Sequence, residues 1–410
     1  MIFLCCKSYS QEKSDFSMIY NLLNQKKYFK AQILYQDKKK YIKKNDQIIL
    51  EIILDNSFNR LKDSESLFKE LNINGVSDSI LLKLYKTQED TASKLYDYKK
   101  AKLATEIILN KFKYLLSEHS LKKRENDLKL WSALENIPKQ TTTIKTTTQL
   151  KIKKDKADLN TLLIHIKSDS LMFVLDTGAN FSVVSKRNAE RMNMSIIKAD
   201  IEIGSITKKR VIAQLAICPL IILGNIEIKN SIFFVVEDDA LNFPEFDYKI
   251  SGILGNPIIQ SFKEIQITHD NFFIVPKKQT CTHHTSNLAM DRLTPLVYID
   301  GKLFLLDTGA QNSILYSYYY TENKDLIDRK YKLTKTKIGG VGGIREFDGY
   351  SIDYTLNLQN KKIILAETKL LYNTTNHHYP YIYGNLGQDF IHRFNKVIIN
   401  FEKMFIRFES

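Results

Sequence analysis

The sequence predicts a multidomain protein, with an α-helical N-terminal domain followed by an all-β part that contains two similar lobes. Three observations predict this architecture: glycine and proline are almost absent from the first third of the chain, the hydrophobic periodicity changes near residue 138, and one strand-like segment occurs twice. The chain of 410 residues is also longer than one hydrophobic core usually serves. We therefore expect two or three domains.

The overall composition is that of an ordinary globular protein, with 43% hydrophobic and 26% charged residues, which excludes a disordered chain. The formal net charge of +14 comes from lysines spread along the whole chain. A nucleic-acid site would instead show a basic patch interleaved with aromatic residues, so we predict no nucleic-acid partner. No apolar stretch approaches the roughly 20 residues of a membrane-spanning helix, and we predict no membrane span.

Residues 1–12 begin with a short apolar run that ends in small residues, which we interpret as the remnant of an export signal. This interpretation favours a periplasmic or secreted location over a cytoplasmic one. The cysteines have no metal-ligand spacing and are too few for a disulfide scaffold; they are Cys5, Cys6, Cys218 and Cys281. We predict no metal site and no cofactor, and we interpret His283–His284 and His377–His378 as loop histidines.

Residues 13–137 are predicted to form the helical domain. Only Gly75 of the fifteen glycines precedes Gly178, and all seven prolines lie at Pro138 or later. Apolar residues recur at intervals of three and four, as in Ile48, Ile49, Ile52 and Ile53. This spacing is typical of antiparallel helix pairs, as in a short tetratricopeptide-like array. Two roles stay open for the domain: it stabilises the rest of the chain, or it binds a protein partner.

Residues 138–158 contain the threonine-rich stretch KQTTTIKTTT, which has no helical periodicity, and we predict that they form a linker. After this segment the pattern changes to short alternating or apolar runs bounded by Gly, Asn and Pro, which indicates strands. We place the first lobe at residues 159–278 and the second lobe at residues 279–410.

Two segments carry the repeat, LMFVLDTGANFSVVS at residues 171–185 and GKLFLLDTGAQNSILYS at residues 301–317. Each has an apolar strand, then Asp-Thr-Gly-Ala, then a serine at the sixth position after the aspartate. The shared positions are Asp176, Thr177, Gly178, Ala179 and Ser182 in the first copy, and Asp307, Thr308, Gly309, Ala310 and Ser313 in the second. Their agreement indicates a tandem duplication.

A second pair of matching segments follows downstream and extends the duplication. Ile253-Leu254-Gly255-Asn256 follows the first motif much as Ile382-Tyr383-Gly384-Asn385 follows the second. We predict that Gly255 and Asn256 are equivalent to Gly384 and Asn385, as a motif in the core of each lobe.

Asp-Thr-Gly-Ala at the end of an apolar strand, followed later by two apolar residues and a glycine, resembles the signature of the retropepsin and pepsin families. The resemblance spans nearly all of residues 160–410. It implies two small closed β-structures that each donate one aspartate across a pseudo-twofold axis. The local motif is closer to homodimeric retropepsins, but both copies lie in one chain, so a monomer should suffice for catalysis. The whole chain resembles bacterial aspartyl-protease-like proteins with an N-terminal helical region.

This resemblance implies an aspartic endopeptidase with Asp176 and Asp307 as catalytic carboxylates and a peptide or protein as substrate. Hydrolysis of an amide without a metal needs a base to activate water and an acid to protonate the leaving group. Two carboxyl groups that share one proton provide both. The alternative is an inactive protein of this fold that binds peptides or proteins through its helical domain.

The other motif residues have roles that restrict their identity. Gly178 and Gly309 let the backbone approach the carboxyl groups, where a Cβ atom would interfere. The resemblance implies that the two threonines exchange hydrogen bonds between the lobes. Ala179 and Ala310 stand where pepsins have a hydroxyl group. Loss of that donor should raise the pKa of the aspartate pair, so we expect activity at less acidic pH than for pepsin.

An active site of this kind also needs flaps that cover an extended peptide. The glycine-rich stretch from Ile338 to Ile344 is the candidate flap of the second lobe, with Gly339, Gly340, Val341, Gly342 and Gly343 at its tip. We predict that Gly204 and Ser205 belong to the corresponding flap of the first lobe.

Overall fold

The computed structural model describes residues 14–204, 210–281, 286–358, 361–372 and 381–409. The chain divides into two compact units. The first contains residues up to Ile137 together with Ala289–Arg292, and the second contains Pro138–Leu288 and Leu293–Ser410. An N-terminal helical region and a large β-rich part are both present, as the sequence predicted.

The first unit consists of α-helices joined by short turns. In the described residues these are α1 (14–24), α2 (Tyr28–Lys38), α3 (Lys44–Ser57), α4 (Leu61–Glu70), α5 (Asp78–Lys94), α6 (Tyr98–Lys111) and α7 (Glu118–Leu134). Helix α3 packs on α4, α5 packs on α6, and α6 packs on α7. The four isoleucines at 48, 49, 52 and 53 are buried, as their periodicity predicts.

The core of this unit also contains charged side chains. Trp131 is buried, and its indole N–H donates to Glu89 Oε1 at 3.0 Å. Glu89 is paired with the buried guanidinium of Arg124, so its charge is compensated. Trp131 is therefore a residue of the helical core.

The second unit is built mainly of strands. Its first half contains β1 (Thr141–Ile144), β2 (Thr148–Lys151), β3 (Lys153–Lys154), β4 (Asn160–Ile166), β5 (Asp169–Leu175), β6 (Ser182–Ser185), α8 (Lys186–Arg191), β7 (Ser195–Ile203), β8 (Val211–Leu223), β9 (Ile226–Val236), β10 (Asn242–Phe243), β11 (Tyr248–Lys249), β12 (Gly252–Leu254), α9 (Asn256–Ser261), β13 (Glu264–Thr268) and β14 (Phe272–Val275).

The remaining elements follow in chain order, and all belong to the second unit except β15, of which Ala289–Asp291 belong to the first. They are β15 (Leu288–Asp291), β16 (Thr294–Ile299), β17 (Lys302–Leu306), β18 (Ile314–Leu315), α10 (Ser317–Lys330), β19 (Thr334–Gly340), β20 (Gly343–Leu358), β21 (Lys361–Leu370), β22 (Gly384–Leu386), α11 (Gln388–Ile391), β23 (Lys396–Asn400) and β24 (Phe405–Glu409).

Two large sheets have the same strand order, which shows the duplication at the level of topology. The first contains the order β9-β6-β12-β5-β4, and the second contains β21-β18-β22-β17-β16. The directions agree as well, since β12 is parallel to β5 as β22 is parallel to β17. Likewise β12 is antiparallel to β6, and β22 is antiparallel to β18. Each half of the second unit therefore repeats one arrangement.

A third sheet joins the two halves, with the order β2-β14-β13-β23-β24. Its central pair is β13 and β23, which run antiparallel with Ile265 opposite Ile399. Both isoleucines are fully buried. The last strands of the two copies thus share one continuous hydrogen-bonded ladder.

The prediction that residues 138–158 form a linker is wrong. Strand β1 pairs with β9, β2 pairs with β14, and β3 pairs with β4. Threonine is β-branched and suits a pleated strand, so the same composition that lacks helical periodicity favours these pairings. The segment is part of the β unit.

The predicted equivalence of Gly384–Asn385 with Gly255–Asn256 is also wrong, by three residues. Leu254 lies beside Leu175, and Leu386 lies beside Leu306, so these two leucines are equivalent. The N–H of Gly255 donates to Ser182 Oγ at 3.0 Å, and that of Gly387 donates to Ser313 Oγ at 3.0 Å. The counterpart of Gly255–Asn256 is therefore Gly387–Gln388.

Some predictions concern residues outside the described part of the chain, namely 1–12 with Cys5 and Cys6, Ser205, and the pairs His283–His284 and His377–His378. Within the described ranges, no helix is long and apolar enough to cross a membrane. The same ranges contain no cluster of three or more His, Cys, Asp or Glu side chains suited to hold a metal ion.

The pairing of residues 138–158 is testable at Ile152, which is 4% exposed and whose N–H donates to Asn271 O. We expect Ile152→Ala to lower the free energy of unfolding by about 2–4 kcal/mol, because it opens a cavity in packed structure. Urea unfolding followed by circular dichroism measures this. The control Lys153→Ala, at the exposed neighbouring residue, should change stability little, and an equally small effect of both variants would contradict the pairing.

Candidate active site

Asp176 and Asp307 occupy the same position in the two copies. Asp176 directly follows β5, and its N–H donates to Leu254 O at 3.1 Å. Asp307 directly follows β17, and its N–H donates to Leu386 O at 3.0 Å. In both cases the hydrogen bond to the neighbouring parallel strand fixes the position of the aspartate backbone.

The two threonines join the aspartate loops by reciprocal hydrogen bonds. Thr177 Oγ1 donates to Leu306 O at 2.7 Å and accepts from Thr308 N–H at 3.1 Å. Thr308 Oγ1 donates to Leu175 O at 2.8 Å and accepts from Thr177 N–H at 3.0 Å. Both side chains are fully buried. Each hydroxyl group thus donates to one backbone group of the other copy and accepts from a second, and a near-twofold arrangement results.

The glycines lie against the aspartates of the opposite copy. A Cβ atom at Gly178 would lie 2.9 Å from Asp307 Cγ, and one at Gly309 would lie 2.3 Å from Asp176 Cγ. Contacts this short are sterically forbidden, so only glycine leaves room for the carboxyl groups here. The two aspartates, 131 residues apart in the chain, therefore meet at one site.

Backbone and side-chain donors bind the carboxyl oxygens. Asp176 Oδ1 accepts from the N–H groups of Gly178 at 2.8 Å and Ala179 at 3.0 Å. Asp307 Oδ1 accepts from Gly309 N–H at 3.0 Å, and Asp307 Oδ2 accepts from Asn385 Nδ2 at 3.2 Å. The donors around the two carboxyl groups thus differ between the copies.

Burial, together with the negative charge of Asp307, raises the pKa of Asp176 to about 8. Burial also raises the pKa of Asp307, against the hydrogen bonds from Asn385 and Gly309, which lower it. The two carboxyl groups hydrogen-bond to each other. Because two like charges close together in a partly buried site are unfavourable, the pair retains one proton over a wide range of pH.

Further polar side chains make hydrogen bonds next to the aspartate loops. Ser182 and Ser313 accept the N–H groups of Gly255 and Gly387, and Asn256 Nδ2 donates to Leu293 O at 2.8 Å. Ser313 Oγ also donates to Asp389 Oδ1 at 2.7 Å. The two serine bonds connect the end of each aspartate loop to the glycine that precedes a short helix, α9 or α11.

Gln388 is a supporting residue that the sequence comparison missed. Its Nε2 donates to Thr308 O at 2.9 Å, and its Oε1 accepts from Lys154 Nζ. The signal that would have found it is spacing, since Gly255 and Gly387 both lie seven residues before a phenylalanine, Phe262 and Phe394.

Two hairpins stand where flaps were predicted. The stretch Ile338–Ile344 forms the tip of the hairpin β19–β20, where Gly340 pairs with Gly343 and the backbone of Gly342 and Gly343 has positive φ. The N–H of Gly342 donates to Ala240 O at 3.0 Å, so the tip contacts the first half of the unit. Gly204 directly follows β7 of the hairpin β7–β8.

Comparison with known proteins gives a family match within the first copy. A family model described as "Aspartyl protease" matches residues 164–258, which include Asp176 and Gly255. This match supports a peptidase function in general terms. A search of curated proteins found no significant match.

The threonine bonds are testable by Thr177→Val, which removes a hydroxyl group and keeps the side-chain shape. We expect a loss of about 1–3 kcal/mol in the free energy of unfolding, because the buried N–H of Thr308 loses its acceptor. Circular dichroism is the better probe, since the single tryptophan, Trp131, lies in the first unit. The control Thr177→Ser retains the hydroxyl group and should stay close to the parent protein. Equal stability of the parent and the valine variant would contradict the proposed strength of this contact.

The raised pKa of Asp176 makes stability depend on pH. A group whose pKa is higher in the folded state contributes stability that is complete at pH values below about 4 and is lost as the pH rises through about 8. Asn at this position does not titrate. We therefore expect the melting temperature of Asp176→Asn, relative to the parent protein, to rise by at least about 5 °C between pH 4 and pH 9. A difference that is the same at both pH values would show that Asp176 has an ordinary pKa.

Proposed function

We propose that this protein is an aspartic endopeptidase, in which Asp176 and Asp307 activate a water molecule and hydrolyse peptide bonds. The observation that supports this most directly is the contact of each motif glycine with the aspartate of the other copy. With that contact two partly buried carboxyl groups lie close together, and the pKa of Asp176 is raised to about 8. The match of residues 164–258 to an aspartyl protease model supports the same class.

In this proposal the two halves of the β unit are the lobes of a bilobal, retropepsin-like fold. The matching strand orders and the reciprocal threonine bonds support a pseudo-twofold relation. The first lobe includes residues 138–158, because their strands pair with its sheets. A single polypeptide supplies both aspartates.

The chemistry requires one ionised and one protonated carboxyl group. The ionised group takes a proton from water while the water oxygen attacks the carbonyl carbon of the peptide bond. The protonated group gives its proton to the carbonyl oxygen, which forms a neutral diol. The proton taken from water then passes to the leaving nitrogen as the C–N bond breaks, and a diol proton returns to the second carboxyl group.

The two hairpins β7–β8 and β19–β20 fit a role in substrate binding. Both are long antiparallel ribbons, and such ribbons bind an extended peptide through main-chain hydrogen bonds. We propose that Gly204 and the tip from Gly339 to Gly343 lie over the peptide. The substrate is then an extended segment of a peptide or protein.

The proposal is tested by the single variants Asp176→Asn and Asp307→Asn. Each removes one of the two carboxyl groups, and we expect kcat for cleavage of a peptide library to fall by at least about 10³-fold in either variant. Cleavage is measured by mass spectrometry of the products. The control Asp270→Asn, at an exposed residue between β13 and β14, should retain cleavage.

Two results would count against this function. Full cleavage by either active-site variant would show that the pair is not the catalytic group. A parent protein that cleaves no peptide in a broad library, but binds some of them, would instead support a binding protein of this fold.

A further inference from the structure

The aspartate pair is not symmetric, because one position beside it differs between the two lobes. Asn385 lies in β22 opposite Leu305, two residues before Asp307. The equivalent position in the first lobe is Ile253, which lies in β12 opposite Val174, two residues before Asp176. A polar amide therefore faces one aspartate where an aliphatic side chain occupies the matching place beside the other.

The orientation of the Asn385 amide is determined by its second hydrogen bond. Its Oδ1 accepts from the backbone N–H of Ile314 at 2.9 Å. A backbone N–H can only donate, so the oxygen of the amide must point to Ile314 and the NH₂ group must point to Asp307. Asn385 is 4% exposed, and water competes little for this bond. The contact with Asp307 Oδ2 is thus a bond from a fixed donor.

A fixed donor acts differently on the two protonation states of a carboxyl group. A hydrogen bond to a charged oxygen is stronger than one to a neutral oxygen, so a donor stabilises the ionised form. Asp307 receives such a side-chain donor, whereas Ile253 offers none to Asp176. The backbone donors act alike on both groups, since Gly178 and Ala179 lower the pKa of Asp176 as Gly309 and Ala310 lower the pKa of Asp307. The side chain of Asn385 is the donor that distinguishes the two aspartates.

Other ionisable side chains on neighbouring elements have partners of their own. Asp389 on α11 accepts hydrogen bonds from the Ser313 hydroxyl group and from Phe390 N–H. Burial raises the pKa of Asp389, and the positive charge of Arg393 opposes this increase. Lys154 on β3 donates to Gln388. Burial and then the positive charge of Lys154 lower the pKa of His392. The two aspartates therefore remain the charged groups that act directly on each other.

We propose that Asn385 breaks the symmetry of the pair, so that the free protein carries the negative charge on Asp307 and the shared proton on Asp176. Burial raises the pKa of both groups, and the bonds to Asp307 oppose this increase. Asn385 is a positioning residue, since it acts through Asp307. The catalytic meaning of this assignment rests on the proposed function, but the location of the proton does not.

The assignment gives each aspartate one role in hydrolysis. Asp307 takes the proton from the attacking water, and Asp176 gives its proton to the carbonyl oxygen. When the C–N bond breaks, the proton on Asp307 passes to the leaving nitrogen, and Asp176 recovers a proton from the diol. Both groups end in their initial states, with one water consumed for each bond cleaved.

The variant that tests this is Asn385→Ile, which copies the residue of the first lobe. We expect the acidic limb of the pH profile of kcat/KM, which reports the ionised group, to move up by about one pH unit, because Asp307 loses a hydrogen bond to its charged form. The alkaline limb, which reports Asp176, should move less. The control Asn357→Ile, at an exposed asparagine in β20 that bonds Asp300, should leave both limbs in place. An unchanged acidic limb in Asn385→Ile would overturn the proposal.

A second measurement needs neither catalysis nor a stable variant at position 385. The parent protein is labelled with ¹³C at aspartate carboxyl carbons, and the two resonances are identified by their loss in Asp176→Asn and Asp307→Asn. We expect Asp307 to titrate at lower pH than Asp176, and the reverse order would overturn the assignment. The expected order without peptide cleavage would support the proton assignment and reject the enzyme. Cleavage with the reverse order would support the enzyme and reject the assignment.

Discussion

The reciprocal hydrogen bonds of Thr177 and Thr308 determine the distance between the two aspartate loops. Each hydroxyl group donates to a carbonyl oxygen at the end of a strand in the other copy and accepts an N–H of the facing loop. Any other separation of the loops would leave these buried backbone groups unpaired, at about 1–3 kcal/mol for each group. The repulsion between the two partly buried carboxyl groups is therefore opposed by contacts that do not involve the carboxyl groups themselves.

This arrangement links stability and chemistry. A pair of acids held together in a partly buried place retains a proton that free aspartate would release, and the raised pKa of Asp176 is the result. The same burial that destabilises the fully ionised pair provides an acid and a base side by side. The cost of the site in folding free energy and its capacity for acid–base chemistry have one physical origin.

Much of the fold and the site was predictable because the sequence carries it in local, repeated patterns. Helical periodicity with a single glycine, Gly75, marked the first 137 residues, and two copies of Asp-Thr-Gly-Ala after an apolar strand marked the aspartates and their glycines. These signals are local, since the residues that form each loop are consecutive. The strand character of residues 138–158 was not predicted, because their pairing partners, such as β9 and β14, are far away in the chain.

The strand register of the second lobe shows a second limit of prediction from the sequence. Ile382-Tyr383-Gly384-Asn385 has nearly the same letters as Ile253-Leu254-Gly255-Asn256, yet hydrogen bonding in the sheet aligns Gly387 with Gly255. Similar letters gave the wrong match because the pairing of β22 with β17 decides which residue reaches the aspartate. The role of Asn385 follows from that register, so it became visible only with the structure.

The ladder between β13 and β23 has a consequence for how the site assembles. Since the last strands of both copies belong to one sheet within one chain, the halves meet by an intramolecular step. The equilibrium for that step contains no concentration term, in contrast to a site shared by two separate chains. Dilution therefore does not change the equilibrium of this intramolecular step, in which the two aspartate loops come together.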